Sequence, residues 1–364
     1  MLFIYPKTAL AQNWLNPSII YILESGMTSI INNKEPTKWP TIIPESVRNI
    51  LKSRSGIKSR LQSVWESFKN LDRDEQIKLI NALNQQISLP NNFSDDSICT
   101  QITLFSDEIR DSIKELFKFL FEEQLLSIKI DGECLRDIHY KEIYSNAPER
   151  LCPFCGLSYL RSPNAPRHAL DHYMPISLYP FVGADLRNLS PMCDECNSSF
   201  KKQIDILYDE NHNRMHCVDP YSGPIFKISL INSKSFEGEI CKGMHLPKWQ
   251  IDIIGGTTNL SNNWDRIFQI KKRYERDILN AEFRSWLEHF AKWFIRQPNK
   301  YNGFEDNINY HLNEYIETVI QEGLADRAFL KAQVFNFILN EINQHEKKED
   351  MLSFLNLMID IYKS

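Results

Sequence analysis

A chain of 364 residues, 42% hydrophobic with 12 glycines, has the length for two or three domains and a sizeable core, and reads as globular and helix-leaning rather than disordered. Its 42 basic and 47 acidic residues leave a net charge of −5, which weighs against a broad nucleic-acid footprint and leaves room for a local basic groove. Eight cysteines in so long a chain, an N-terminus without a basic, cleavable leader and the lack of any run of ~20 apolar residues point to a cytoplasmic protein with reduced thiols and no membrane span.

Residues 1–43 give mixed signals, with Pro17, Pro40 and Pro44 marking turns between apolar pieces. From Glu45 the spacing of Val47, Ile50, Leu51, Ile57, Leu61, Val64, Trp65 and Phe68 predicts helix, interrupted at Gly56. Asp72 and Asp74 open a helix through Ile77, Leu79, Ile80 and Leu83 that stops near Leu89-Pro90. Residues 91–105 read as loop. Ser106 or Asp107 then caps a long amphipathic helix to about Ile128. Its Phe117, Phe119 and Phe121 have the spacing of core packing rather than of a base-stacking platform. Asp131-Gly132 breaks it, and a shorter helix from about Glu133 to Tyr144 leads on towards Cys152.

The next stretch carries the chemistry. Cys152-Pro-Phe-Cys155-Gly156 and Cys193-Asp-Glu-Cys196-Asn197 are two Cys-x-x-Cys pairs, and each supplies two sulfurs from one tight turn. Four such thiolates close a tetrahedral zinc site with no open position, which makes it structural. Between the pairs stand His168, Asp171-His172 and Asn188. Imidazole has the unperturbed pKa of a general base near neutrality, and a carboxylate suits a hard divalent cation. Asn197 could offer an amide oxygen to such a cation or cap the helix that follows Cys196. Asn188 reads equally as a turn residue before Leu189-Ser190-Pro191, and Lys201 and Lys202 as phosphate contacts or a solvated helix face. His212, His216 and His245 receive no role, and Cys217 has no partner at metal-ligand spacing.

Further on, Ile225–Ile231 and Trp249–Ile254 have the alternation of strands. Ser261 is the expected cap of a helix from Trp264 to about Ile295, residues 298–303 read as loop, and the rest as two or three helices in an acidic, bundle-like tail.

Residues 152–202 resemble the zinc-bearing branch of the HNH nuclease family, whose core is two short strands, a helix and a metal ion. The resemblance implies that Cys152, Cys155, Cys193 and Cys196 hold structural zinc. It implies that His172 is the general base, that Asp171 and Asn197 hold one magnesium or manganese ion, and that Asn188 positions the loop presenting His172. His168 takes a supporting place at most. The wider string, with Asp219-Pro-Tyr221, Trp264-Asp-Arg-Ile-Phe268 and Lys272-Arg-Tyr274, resembles larger HNH proteins of Septu-type and retron-associated antiphage loci, which accompany an ATPase. The expectation is therefore an α+β, mostly α-helical chain: an N-terminal helical region (residues 1–130), a treble-clef, ββα-metal HNH module with its following strands (131–258) and a C-terminal helical region (259–364). The expected activity is hydrolysis of DNA, with RNA as the other candidate substrate and an ATPase subunit or further copies of the chain as partners. The alternative is a zinc-stapled nucleic-acid-binding or interaction module without turnover.

Overall fold

The computed structural model describes residues 1–94, 96–165, 171–241, 243–297, 304–321, 323–344 and 346–363, apart from the side chains at 171, 306, 320 and 321. His168 and the expected loop at 298–303 lie outside the described residues. The fold is α+β and mostly helical, 56% helix against 7% strand.

The N-terminal region is built from α1 (Leu15–Ile31), α2 (Glu45–Leu51), α3 (Ser55–Lys69), α4 (Arg73–Gln86) and α5 (Asp107–Phe119). α5 continues through a π-helical turn, Leu120–Gln124, into α6 (Leu125–Ser127). The helix start at Asp72 is a capping box: the Asp72 carboxylate accepts the Glu75 N–H, and the Glu75 carboxylate accepts the Asp72 N–H. Two local expectations differ. α1 fills the unassigned opening region, with Pro17 in its first turn, where a missing N–H goes unmissed. Gly56 sits inside α3, and the interruption falls at residues 52–54 instead.

Asp131-Gly132 does more than end a helix. Both residues have positive φ, 51° and 86°, and they join β1 (Lys129–Ile130) to β2 (Glu133–Cys134) in a two-residue hairpin. Asp-Gly is suited to that turn because it tolerates the left-handed region at both positions. α7 (Leu135–Asn146) follows.

The centre holds β3 (Asp171–His172), antiparallel to β4 (Leu189–Ser190), and then a π-helical segment, Glu195–Lys201. The two predicted strands shrink to β5 (Lys227–Ser229) and β8 (Asp252–Ile254), paired antiparallel, with β6 (Ile240–Cys241) and β7 (Met244–His245) forming a small hairpin between them in sequence.

α8 (Thr258–Phe268) begins earlier than expected, because Thr257 rather than Ser261 caps it, its hydroxyl accepting the Leu260 N–H. The expected long helix breaks at Gln269, which is left-handed, and resumes as α9 (Ile270–Arg273), a π-helical run Tyr274–Leu279 and α10 (Asn280–Ile295). α11 (Phe304–Gln321), α12 (Ala328–Asn343) and α13 (Lys348–Lys363) complete the described chain.

Two hydrophobic cores form. One gathers α1, α3, α4 and α5. The other gathers the four paired cysteines, Met1–Tyr5, and α8 to α13. The 171–190 hairpin lies on the seam: Tyr173, Met174 and Val182 enter the cysteine-bearing core, while Phe181, Leu186 and Leu189 enter the other. A seam between two packed bodies is a usual place for a binding site.

Candidate metal centre and histidine hairpin

Cys152 and Cys155 share one tight turn. Gly156 closes it at φ 65°, where a side chain would strain the backbone and strike Leu2. Cys193 and Cys196 flank the start of the π-helical segment. All four sulfurs are buried and lie within 4.8 Å of one another. Cys155 Sγ and Cys193 Sγ are 3.8 Å apart. A zinc–sulfur bond of about 2.3 Å sets tetrahedral sulfur–sulfur edges of about 3.8 Å, so the donor set fits zinc. Backbone N–H groups reinforce it: Cys193 N–H donates to Cys152 Sγ at 3.4 Å, Leu157 N–H to Cys155 Sγ at 3.4 Å, and Cys196 N–H to Cys193 Sγ at 3.5 Å.

The electrostatics favour a cation there. Burial pushes the Cys152 and Cys196 thiols up. Hydrogen bonds from neighbouring thiols hold Cys155 and Cys193 below the ordinary range. A bound dication removes that division, because a coordinated thiol is deprotonated outright. Sequence spacing did not disclose the groups around the centre. Arg273 is fully buried; its Nη1 donates to Cys196 Sγ at 3.3 Å and its Nη2 to Glu195 at 2.8 Å. Burial works to lower its pKa, but the Cys196 and Cys155 sulfurs outweigh that and hold it above its ordinary value. The hydroxyl of Tyr274 donates to the Cys155 carbonyl at 2.8 Å.

The histidine hairpin is a separate construction. His172 is 7% exposed, and its Nε2 lies 2.7 Å from the Gly183 carbonyl. A carbonyl only accepts, so Nε2 carries the proton, and the lone pair of the neutral ring is on Nδ1. The ring packs on Phe121, with centroids 4.2 Å apart. Asn188, fully buried, holds the loop that contains that carbonyl. Its Oδ1 accepts the Met174 N–H at 2.7 Å, and its Nδ2 donates to the Met174 and Val182 carbonyls at 3.1 and 3.2 Å.

Behind the hairpin, Arg187 pairs with Asp219 at 2.6 Å, and Tyr221 donates to the Leu186 carbonyl at 3.3 Å, so the Asp-Pro-Tyr string braces this turn.

Asp171 is the cross-strand partner of Ser190. Among the described residues, the buried Oγ of Ser190 has no hydrogen-bond partner. Asn197 follows Cys196 in the π-helical segment; its N–H donates to the Cys193 carbonyl at 3.0 Å and its side chain is half-buried. The structure thus brings the four cysteines together and joins His172 to Asn188 through one loop. Lysines 201 and 202 part company. Lys202 is exposed, but Lys201 is 1% exposed, with its Nζ 3.3 Å from the Lys202 carbonyl, so its ammonium is turned inward rather than towards an external phosphate.

No family model and no solved structure matches the chain. Over 78 residues it is 33% identical to protein ea31 of Escherichia phage lambda, a stretch that is 21% of this chain and 24% of that protein. The chain therefore spans about a quarter of the length of the curated relative it matches. No helix among the described residues is long and apolar enough to cross a membrane.

Proposed function

We propose that the chain is a metal-dependent HNH endonuclease that hydrolyses DNA phosphodiester bonds, with His172 as general base. The observation that carries the reading is the clamp on His172: Gly183 fixes the ring's protonated nitrogen at 2.7 Å, and Asn188 fixes the loop that bears Gly183. The imidazole is thereby held in the tautomer that accepts a proton at Nδ1. In the proposed reaction Nδ1 takes a proton from water, the water oxygen bonds to phosphorus and the phosphorus–oxygen bond to the 3′ side breaks, the leaving 3′-oxygen taking a proton from a second water, so that a 5′-phosphate and a 3′-hydroxyl remain. Asp171 and Asn197 would hold one magnesium or manganese ion, which supplies Lewis acidity at the leaving oxygen when bound. Lys202 is an exposed cation available to the DNA backbone.

The proposal extends to an antiphage effector that works with an ATPase subunit or as a homo-oligomer. The net charge of −5 supports it, because a chain with weak intrinsic affinity for phosphates suits recruitment by a partner. The rival reading, a zinc-stapled binding module without turnover, draws support from the inward-facing Lys201.

Plasmid nicking with magnesium or with EDTA, by the chain alone and with its partner ATPase, separates the two. His172→Ala and His172→Asn should abolish nicking and leave zinc content unchanged. Because His172 is buried against Phe121, the alanine variant should also lose about 1–3 kcal/mol of stability. Nicking that survives both substitutions would overturn the mechanism.

A further inference from the structure

The Cys152, Cys155, Cys193 and Cys196 thiolates together carry four negative charges, so a bound zinc ion leaves a surplus of two buried in the core. A surplus of that kind is costly unless it is paired. Arg273 is a cation in contact with it, fully buried, with its guanidinium 3.3 Å from Cys196 Sγ and 2.8 Å from the Glu195 carboxylate. Its Cζ stands 4.4 Å from the centre of the Phe200 ring. It therefore touches the π-helical segment at a zinc ligand, at the residue before that ligand and at a residue one turn on. Its neighbour Tyr274 reaches the other cysteine pair through the Cys155 carbonyl. Consecutive residues of one helical run thus grip both halves of the centre.

We propose that Arg273 is a positioning residue for the zinc centre, a built-in counter-charge that sets how tightly zinc is held and how the segment bearing Asn197 is oriented. This rests on the zinc reading. The two can fail separately, because zinc content of the unaltered chain tests one and the behaviour of Arg273 variants tests the other.

The experiment measures zinc in the purified full chain, then its release rate to a chromogenic chelator, for wild type, Arg273→Gln, Arg273→Lys and Tyr274→Phe. Groups that orient metal ligands typically affect affinity 10–100-fold, and release from Arg273→Gln should accelerate by about that factor. Arg273→Lys keeps the charge without the two-pronged contact and should recover part of the loss. Tyr274→Phe removes a hydrogen bond but no charge, so it should lower the melting temperature with little change in release rate. In cobalt-substituted protein the sulfur-to-metal charge-transfer band should move to lower energy in Arg273→Gln, because an N–H donor that stabilises the sulfur lone pair is gone. If Arg273→Gln does not accumulate folded, the band of Arg273→Lys against wild type decides. Release rates and band positions equal to wild type in the Arg273 variants would overturn the role of Arg273. A wild-type chain without zinc would overturn both readings.

Discussion

At the scale of single residues, the second buried histidine sets a pH dependence. His139 of α7 is fully buried, with Nδ1 2.8 Å from the Ala9 carbonyl, and Nε2 3.0 Å from the Leu189 carbonyl and 3.2 Å from the Tyr221 hydroxyl. Burial depresses its pKa, although the two carbonyls oppose the shift. The unfolded chain therefore binds a proton here before the folded chain does. The stabilisation is whole above about pH 6.5, the ordinary imidazole value, and is lost as pH falls from there towards the depressed folded pKa. Melting curves from pH 8 to pH 5 should show wild type losing stability with a limiting slope of about 1.4 kcal/mol per pH unit from this one group. His139→Gln should lack that component. Equal slopes for the two proteins would remove His139 from the account. Because the same ring meets the carbonyl of Leu189, the cross-strand neighbour of His172, the acid limb should also appear in the presentation of His172.

At the scale of elements, the 171–190 hairpin depends on Asn188 rather than on strand length. Its two strands contribute two residues each, too short a ladder to fix a loop of sixteen residues. Asn188 makes up the deficit with three side-chain bonds, to Met174 N–H, Met174 carbonyl and Val182 carbonyl. Asn188→Ala leaves all three backbone groups buried without that partner, and about 2–4 kcal/mol of stability should go. Asn188→Asp should cost at least as much at neutral pH, because it sets a carboxylate against two carbonyls, and thermal melts would register both. What the sequence disclosed follows from range. The helix start at Asp72, the helix break at Asp131-Gly132 and the Cys-x-x-Cys pairs are short-range signals, complete within a few residues. The Phe121 contact on His172 spans 51 positions, and the Arg273 contact on Cys196 spans 77. No spacing rule reaches that far: Arg273 and Tyr274 stand in the Lys272-Arg-Tyr274 string of the wider resemblance, but nothing local ties them to the cysteines. Gln269 is a related case: its left-handed backbone divides a run whose apolar periodicity reads as one helix.

At the scale of the whole molecule, the two cores give zinc removal an uneven effect. Cys152, Cys155, Cys193 and Cys196 lie in the core that holds Phe154, Phe268, Tyr274 and the C-terminal helices, and none of them lies in the core of α1, α3 and α5. Structural zinc sites contribute folding energy directly, so a chelator that strips the metal should loosen the first core and spare much of the second. Hydrogen exchange with and without chelator should show protection lost first in residues 151–160, 190–201 and 258–294, and retained longer in α1, α3 and α5. The hairpin has one side in each core, and losing the Tyr173 and Met174 side should relax the loop that Asn188 and Gly183 share. If the proposed nuclease reading holds, nicking should then fall in step with zinc content, although the cysteines are assigned no part in the reaction itself. If exchange instead rises evenly over both cores, the chain unfolds as one unit and the hairpin is not a hinge between two. If nicking persists in protein freed of zinc, the hairpin is held by Asn188 and the N-terminal core alone.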